Sequence, residues 1–302
     1  MLLKDQTQVQ YDSLLERMMH RIIHPVGQLF RALSPNAYAS ARWKLGRLRP
    51  TQNFFGNPMS QHFLVPLLVR KGDTVLDIGA NTGQFTIPLA HLVGPNGIVH
   101  SFEPISTTFN ELKQAIKGDG VSAGVRLCQF ALGESTRTVN FTIPKDRPTE
   151  ATAVPHESER WADFRQGSES YVTETCRVIK LDDYVRENDI GDISFMKCDV
   201  EGGEFQVMKG ATALLTRPSP PVLMMEIFEG WTKSFGYEPR DIIRFLEKEA
   251  GYECYWISPT GLKRVKSADA VIPGVFYAWV DFLFIVPNAH SGQINIARYL
   301  SE

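Results

Sequence analysis

From about residue 59 onward, short apolar runs alternate with amphipathic stretches of helical period. A helix over Ser60–Val69 ends at Lys71-Gly72-Asp73, and Thr74–Ile78 then reads as a buried strand. The helix Thr86–Leu92, the turn Gly94-Pro95-Asn96-Gly97 and the strand Ile98–Phe102 follow. A helix opening at Pro104 precedes a strand over Val125–Phe130. Later strands are predicted at Ile193–Cys198, Val222–Ile227, Tyr252–Ile257 and Phe282–Val286, with helices near Glu204–Leu215 and Arg240–Ala250. Such alternation predicts an α/β fold, a largely parallel sheet with helices on both faces. One segment departs from it: strands Val139–Ile143 and Cys176–Leu181 read as an antiparallel pair around a polar insertion, residues 145–174. Ligands of parallel sheets bind beyond the carboxyl ends of the strands, so residues just after each strand carry the chemistry.

The first 58 residues read differently. Leu14, Leu15, Met18, Met19, Ile22, Ile23, Val26, Leu29, Phe30 and Leu33 form an apolar stripe at helical spacing, with Pro25 expected to kink it. Residues 34–57 look like a connector. The chain thus divides into a helical arm, 1–58, and a main domain, 59–302. The stripe suits a lid over the cleft, a homodimer arm or a helix in peripheral contact with an anionic membrane surface, and a helix packed on the main domain is favoured over the membrane reading.

Composition adds modest limits. With 43% apolar and 22% charged residues, the 302-residue chain can bury a sizeable core. Its net charge of −2 is uneven: residues 1–50 hold eight basic and three acidic residues, leaving an acidic body. That balance argues against nucleic acid as a partner. No apolar run approaches the roughly 18 residues of a membrane-spanning helix, and no secretory signal is evident at the N-terminus. Cys128, Cys176, Cys198 and Cys254 are isolated, which fits a reducing compartment. A cytoplasmic enzyme is the expectation.

The chemistry starts at Asp77-Ile78-Gly79-Ala80-Asn81-Thr82-Gly83, where the first strand turns into a helix. Gly79 and Gly83 permit a tight turn, and the helix start offers free N–H groups to a polar ligand. Glu103 ends the second strand, placed to accept hydrogen bonds from a ribose diol. A dinucleotide fingerprint would need glycines where Asn81 and Gln84 stand. Asp77 before the turn suits instead a cofactor with a cationic amino-acid end, S-adenosylmethionine (SAM). Ala80, Pro104 and Ala131, beside these strand ends, complete the expected cofactor contacts.

These features resemble the FkbM family of SAM-dependent methyltransferases. The resemblance rests on Thr74-Val-Leu-Asp-Ile-Gly-Ala-Asn-Thr-Gly83, Phe102-Glu103-Pro104, Leu181-Asp182-Asp183, the block Lys197-Cys-Asp-Val-Glu-Gly-Gly-Glu204 with Lys209-Gly210, and Met225-Glu226. It covers roughly residues 70–230, with a strand pattern continuing to about 287, and leaves the arm outside. It implies a Rossmann-like class I sheet of seven strands, the last antiparallel, and O-methylation of a hydroxyl on a sugar, polyketide, related metabolite or glycan.

Lys197 and Asp199 share one face of their strand, and Glu226 ends the next. An alcohol is a poor nucleophile until its proton is taken, and crowded carboxylates raise one another's pKa towards neutrality. Asp199 is therefore the leading candidate base or acceptor anchor, with Glu201 and Glu226 in support and Lys197 orienting them. His156, in the insertion, is a second candidate base. Trp161 and Phe164, near Arg160 and Arg165, can supply an acceptor wall. Glu204 is read as a favourable helix start, Asp182 and Asp183 as helix caps, and His91 and His100 as packing residues. Three carboxylates can hold a divalent metal, but this spacing does not demand one. Two competing readings remain. One is an N- or C-methyltransferase of a peptide or other scaffold, disfavoured by the lack of an Asn/Asp-Pro-Pro-Tyr signature. The other is an inactive SAM-binding protein, disfavoured by intact Asp77, Glu103, Asp199 and Glu226.

Overall fold

The computed structural model describes residues 61–155, 170–258, 261–266, 268, 280–295 and 298–300. The arm and His156, Trp161 and Phe164 lie outside them. Eight strands form the main sheet: β1 (Thr74–Ile78), β2 (Ile98–Phe102), β3 (Val125–Cys128), β7 (Phe195–Cys198), β8 (Val222–Ile227), β9 (Glu253–Ser258), β10 (Gly261–Val265) and β11 (Val280–Ile285). Their order is β10-β9-β11-β8-β7-β1-β2-β3. Pairing is parallel from β3 across to β8, and β11 runs antiparallel between β8 and β9. This is the Rossmann-like α/β architecture expected, with β10 as an unforeseen eighth strand, hairpinned onto β9. β1, β7 and β8 are almost wholly buried, because helices cover both sides.

One apolar layer joins Val75, Val99, Phe195 and Met224 to helices α1 (Gln61–Leu68) and α2 (Thr86–Val93). The opposite layer joins Leu76, Met196, Leu223 and Phe282 to α4 (Leu181–Glu187), α5 (Glu204–Gly210), α6 (Thr212–Leu215) and α8 (Pro239–Ala250). Between β2 and β3 runs α3 (Ser106–Asp119), and α7 (Glu229–Thr232) follows β8.

A second sheet has order β4-β6-β5, from β4 (Ala131–Gly133), β5 (Arg137–Pro144) and β6 (Tyr171–Lys180). The predicted strand Val125–Phe130 therefore ends early. The chain leaves the main sheet after Cys128, Phe130 packs against Phe102 and Tyr184, and the next apolar residues join the smaller sheet. The β5/β6 pair is antiparallel as expected, but β6 begins at Tyr171, opposite Pro144. Thr152 folds back to bridge Thr142, bringing the start of the insertion over the carboxyl edge of the main sheet.

The predicted helix Glu204–Leu215 is broken. A Cβ on Gly210 would lie 2.0 Å from the Gly133 oxygen, so glycine lets α5 touch β4. The chain restarts as α6, whose Ala213 and Leu214 N–H groups donate to the Asp182 carboxylate at 2.9 and 3.0 Å. Asp182 thus caps a neighbouring helix rather than its own.

Gly210→Ala is expected to lower stability by about 1–3 kcal/mol through this clash. Gly118→Ala, inside α3 with nothing near its Cβ position, is expected to leave stability unchanged or raise it by about 0.5–1 kcal/mol. Thermal melts of the two variants check the contrast.

Candidate functional site

The chain runs from β1 outward through β2 and β3 and returns on the other side of β1 as β7. At this switch point the turns after β1 and β7 touch. A Cβ on Gly79 would lie 1.8 Å from the Asp199 oxygen, and Gly79 itself has φ 80°. The Gly79 and Ala80 N–H groups donate to the Phe102 oxygen, and Asp199 N–H donates to the Ile78 oxygen. A cleft of about 280 Å³ opens above these turns, between the main sheet and the smaller one.

Glu103 holds one end of the cleft. Its two carboxylate oxygens accept N–H groups of Asn81 at 3.0 Å and Ile105 at 2.9 Å, tying the turns after β1 and β2 together. Burial pushes its pKa up to about 7. Gly79, Ala80, Asn81, Pro104 and Ala131 line the cleft with it. Gly83 does not: at φ 94° it packs against Leu112 and Ile87, between α2 and α3.

Asp77 lies deeper than the other strand-end acids. It is 1% exposed and sits beneath the turn instead of lining the cleft. Its carboxylate accepts the Thr86 hydroxyl at 2.5 Å, fixing the start of α2, and burial raises its pKa to about 6. The alternation of β1 turns this side chain into the layer under α2, a direction that a reading by position alone overlooked.

At the other end stand the β7 residues. Lys197 is 1% exposed, and its ammonium lies 3.1 Å from Asp281 and 3.6 Å from Asp199, with the Phe85 ring 5.1 Å away. Burial pulls its pKa down, but Asp281, Asp199 and Glu226 more than reverse that, so it stays charged. It lies below the cleft floor, whereas Asp199, Glu201 and Glu226 line the cleft. Glu226 is pushed up to about 8 by burial and by Asp199, against the pull of Lys197. Burial, helped by Asp199, Glu226, Glu204 and Glu150, drives Glu201 well above the ordinary carboxyl range. Glu204 accepts the N–H groups of Val200 and Gly202 at 3.0 and 3.2 Å, bracing the turn that precedes its helix. His100 is buried against Tyr184, and His91 pairs with Asp119 on the surface. Among the described residues, no group of three or more His, Cys, Asp or Glu is arranged to hold a metal ion.

The methyltransferase FkbM domain family matches residues 77–254, more than half of the chain. The chain belongs to this family.

Its relatives include the 31-O-demethyl-FK506 methyltransferase FkbM of Streptomyces tacrolimicus, 29% identical over 47% of this chain and 60% of its own. Methyltransferase sdnD of Sordaria araneosa is 27% identical over 45% of this chain and 59% of its own. The hexuronic acid methyltransferase AglP of Haloferax volcanii is 25% identical over 58% and 62%. The chain thus spans about three fifths of the length of these relatives. The crystal structure of methyltransferase FkbM from Methylobacillus flagellatus KT aligns with 86% of this chain and 60% of that one, at 15% identity and TM-score 0.44.

Asp281 lies beyond the matched FkbM segment, and the sequence reading missed it. Its signal is an acid inside the apolar run Val280–Val286. β11 begins two residues earlier than predicted and sets Asp281 opposite Glu226. Gln206 and Thr108, which also line the cleft, sit on helices whose faces the periodicity did not orient.

Asp281 adds to the upward push on Glu226 and pairs with Lys197 at 3.1 Å. Asp281→Asn is therefore expected to lower the Glu226 titration midpoint from about 8 by roughly one pH unit. Carbon-13 NMR titration of the side-chain carboxyls checks this, with Asp281→Glu expected to stay near the parent value.

Proposed function

We propose that this FkbM-family chain is a SAM-dependent O-methyltransferase acting on a hydroxyl of a small metabolite or glycan. The observation carrying this reading is one cleft with a ribose-type anchor, Glu103, at one end and a carboxylate cluster of raised proton affinity at the other.

The cofactor end suits SAM. Each Glu103 oxygen spends one lone pair on a backbone N–H and keeps another for a ribose hydroxyl. The Thr108 hydroxyl on the same side is buried without a partner, and Phe130 and Leu132 supply an apolar wall for a base. Bound SAM supplies a methyl group on a sulfonium, an electrophile. The chain's own work is to position the acceptor and take its proton. Asp199, its side chain 31% exposed at the cleft rim, is the candidate for meeting the acceptor hydroxyl. Glu226 feels the charge of Asp199, and the Lys197 ammonium lies 3.6 Å from Asp199. A carboxyl with a pKa of about 8 is mostly protonated at neutral pH and gains its basic form as pH rises. The amphipathic residues 1–58, outside the described residues, are read as a lid or a dimer arm.

Glu103→Ala is expected to weaken SAM binding about tenfold or more, read by calorimetry. Asp199→Asn is expected to keep that affinity while turnover falls by two or more orders of magnitude. The rate of the parent protein is expected to climb with pH through about 8, and Glu226→Gln to flatten that limb. Flat parent profiles or undiminished Asp199→Asn turnover would remove these residues from the chemistry. A chain beginning at Met59 that is monodisperse and fully active would remove both roles from the arm.

A further inference from the structure

The cleft holds a second feature besides its carboxylate cluster. Glu201 Oε2 and Gln206 Oε1 are buried and make no hydrogen bond within the fold. Both residues line the same cleft as Asp199, Glu226 and Phe235. Buried acceptors without partners are rare, because losing water's hydrogen bonds is costly, and two in one cleft point to donors arriving with a ligand.

The backbone is built to present them. Glu201 stands at φ 56°, a left-handed conformation that side-chain-bearing residues rarely adopt, and Gly202 follows at φ 100°. A Cβ on Gly202 would approach Phe235 to 2.9 Å and Trp231 to 3.1 Å. The turn is held by Gly202 N–H donating to Glu204 at 3.2 Å, by the Tyr237 hydroxyl donating to the Gly202 oxygen at 2.7 Å, and by the Thr152 hydroxyl donating to the Glu201 oxygen at 3.3 Å. These bonds hold the backbone of the turn, while Glu201 Oε2 stays without a partner.

We propose that Glu201 and Gln206 form an acceptor subsite that receives hydrogen bonds from two hydroxyls of an uncharged, polyhydroxylated acceptor and turns away acceptors carrying a carboxylate there. This rests on the methyltransferase reading above. An amide oxygen only accepts, so Gln206 demands a donor. Burial and neighbouring acids push the Glu201 carboxyl towards its neutral form, which favours a neutral partner over an ammonium. An entering carboxylate would meet Asp199 and Glu226 while Lys197 is already held by Asp281 and Asp199. Phe235 offers an apolar surface for the carbon face of a ring.

The test uses the full chain with trideuteromethyl-SAM and matched panels of alditols and methyl hexopyranosides, their uronic-acid counterparts and their amino-sugar counterparts. Label is expected on neutral members, with uronic acids and amino sugars at least about tenfold slower. Glu201→Ala and Gln206→Ala are each expected to raise the acceptor KM about tenfold, with calorimetric S-adenosylhomocysteine affinity within twofold of the parent. Gln206→Ala removes no hydrogen bond seen among the described residues, so it keeps the test open should Glu201→Ala fail to fold. Preferential labelling of acids or amines, an unchanged KM in Gln206→Ala, or no labelled product while SAM still binds would overturn the subsite. Failure of the parent protein to bind SAM would instead sink the methyltransferase reading beneath it.

Discussion

A fully buried ammonium has to be compensated where it stands, and Lys197 sets that condition for the middle of the sheet. Its neighbours on the same face are acidic. Asp77 is its register partner on β1, Asp199 lies two residues on, just past the end of β7, and Glu226 and Asp281 face each other across β8 and β11. The lysine makes this concentration of carboxylates tolerable, and the carboxylates in turn keep it charged despite burial. Removing either side would leave an unpaired charge in the core, which is why the cluster is best treated as one unit. Its members nonetheless divide by depth: Asp77 and Lys197 sit below the cleft, while Asp199 and Glu226 reach it.

Two close backbone approaches carry this interior into the cleft. At Gly79 the first turn touches the backbone after β7, so the anchor at Glu103 and the acid at Asp199 are held across a rigid junction. At Gly210 the helix after β7 touches Gly133, docking the smaller sheet so that it walls the same cleft. In both places a missing side chain sets the distance between functional groups. The cleft is therefore a product of strand order and glycine placement, and the loops add its lining.

Much of this was legible in advance because parallel strands buried on both faces leave plain apolar runs, as at Thr74–Ile78 and Val222–Ile227. The acids that follow strands were legible too, since Glu103, Asp199 and Glu226 all line the cleft. What escaped were features set by tertiary contact. Asp77 follows the period of its strand into the layer under α2, and only the partner Thr86 reveals its role. Asp281 looked like an acid lost in an apolar strand until β11 was placed beside β8. The break at Gly210 and the departure after Cys128 depend on a second sheet whose docking no local pattern encodes.

The same arrangement works against the stability of the fold. Asp77, Glu103, Glu204 and Glu226 all have pKa values raised above their ordinary ones, so each binds its proton more tightly folded than unfolded. For such groups the cost to stability is absent below the unfolded pKa near 4, grows as pH rises, and is complete only above the folded values of about 6 to 8. A fold selected for stability alone would replace such groups with apolar ones, as buried ion pairs elsewhere tolerate. Here the backbone instead fixes them. Glu103 and Glu204 are each clamped by two N–H groups, and Glu201 is held in a left-handed turn. A strained, proton-hungry carboxyl cluster is costly in an empty cleft and useful in a filled one. A bound cation such as a sulfonium would lower these proton affinities and relieve part of the cost. Cofactor binding and site stability are thereby linked through one set of charges.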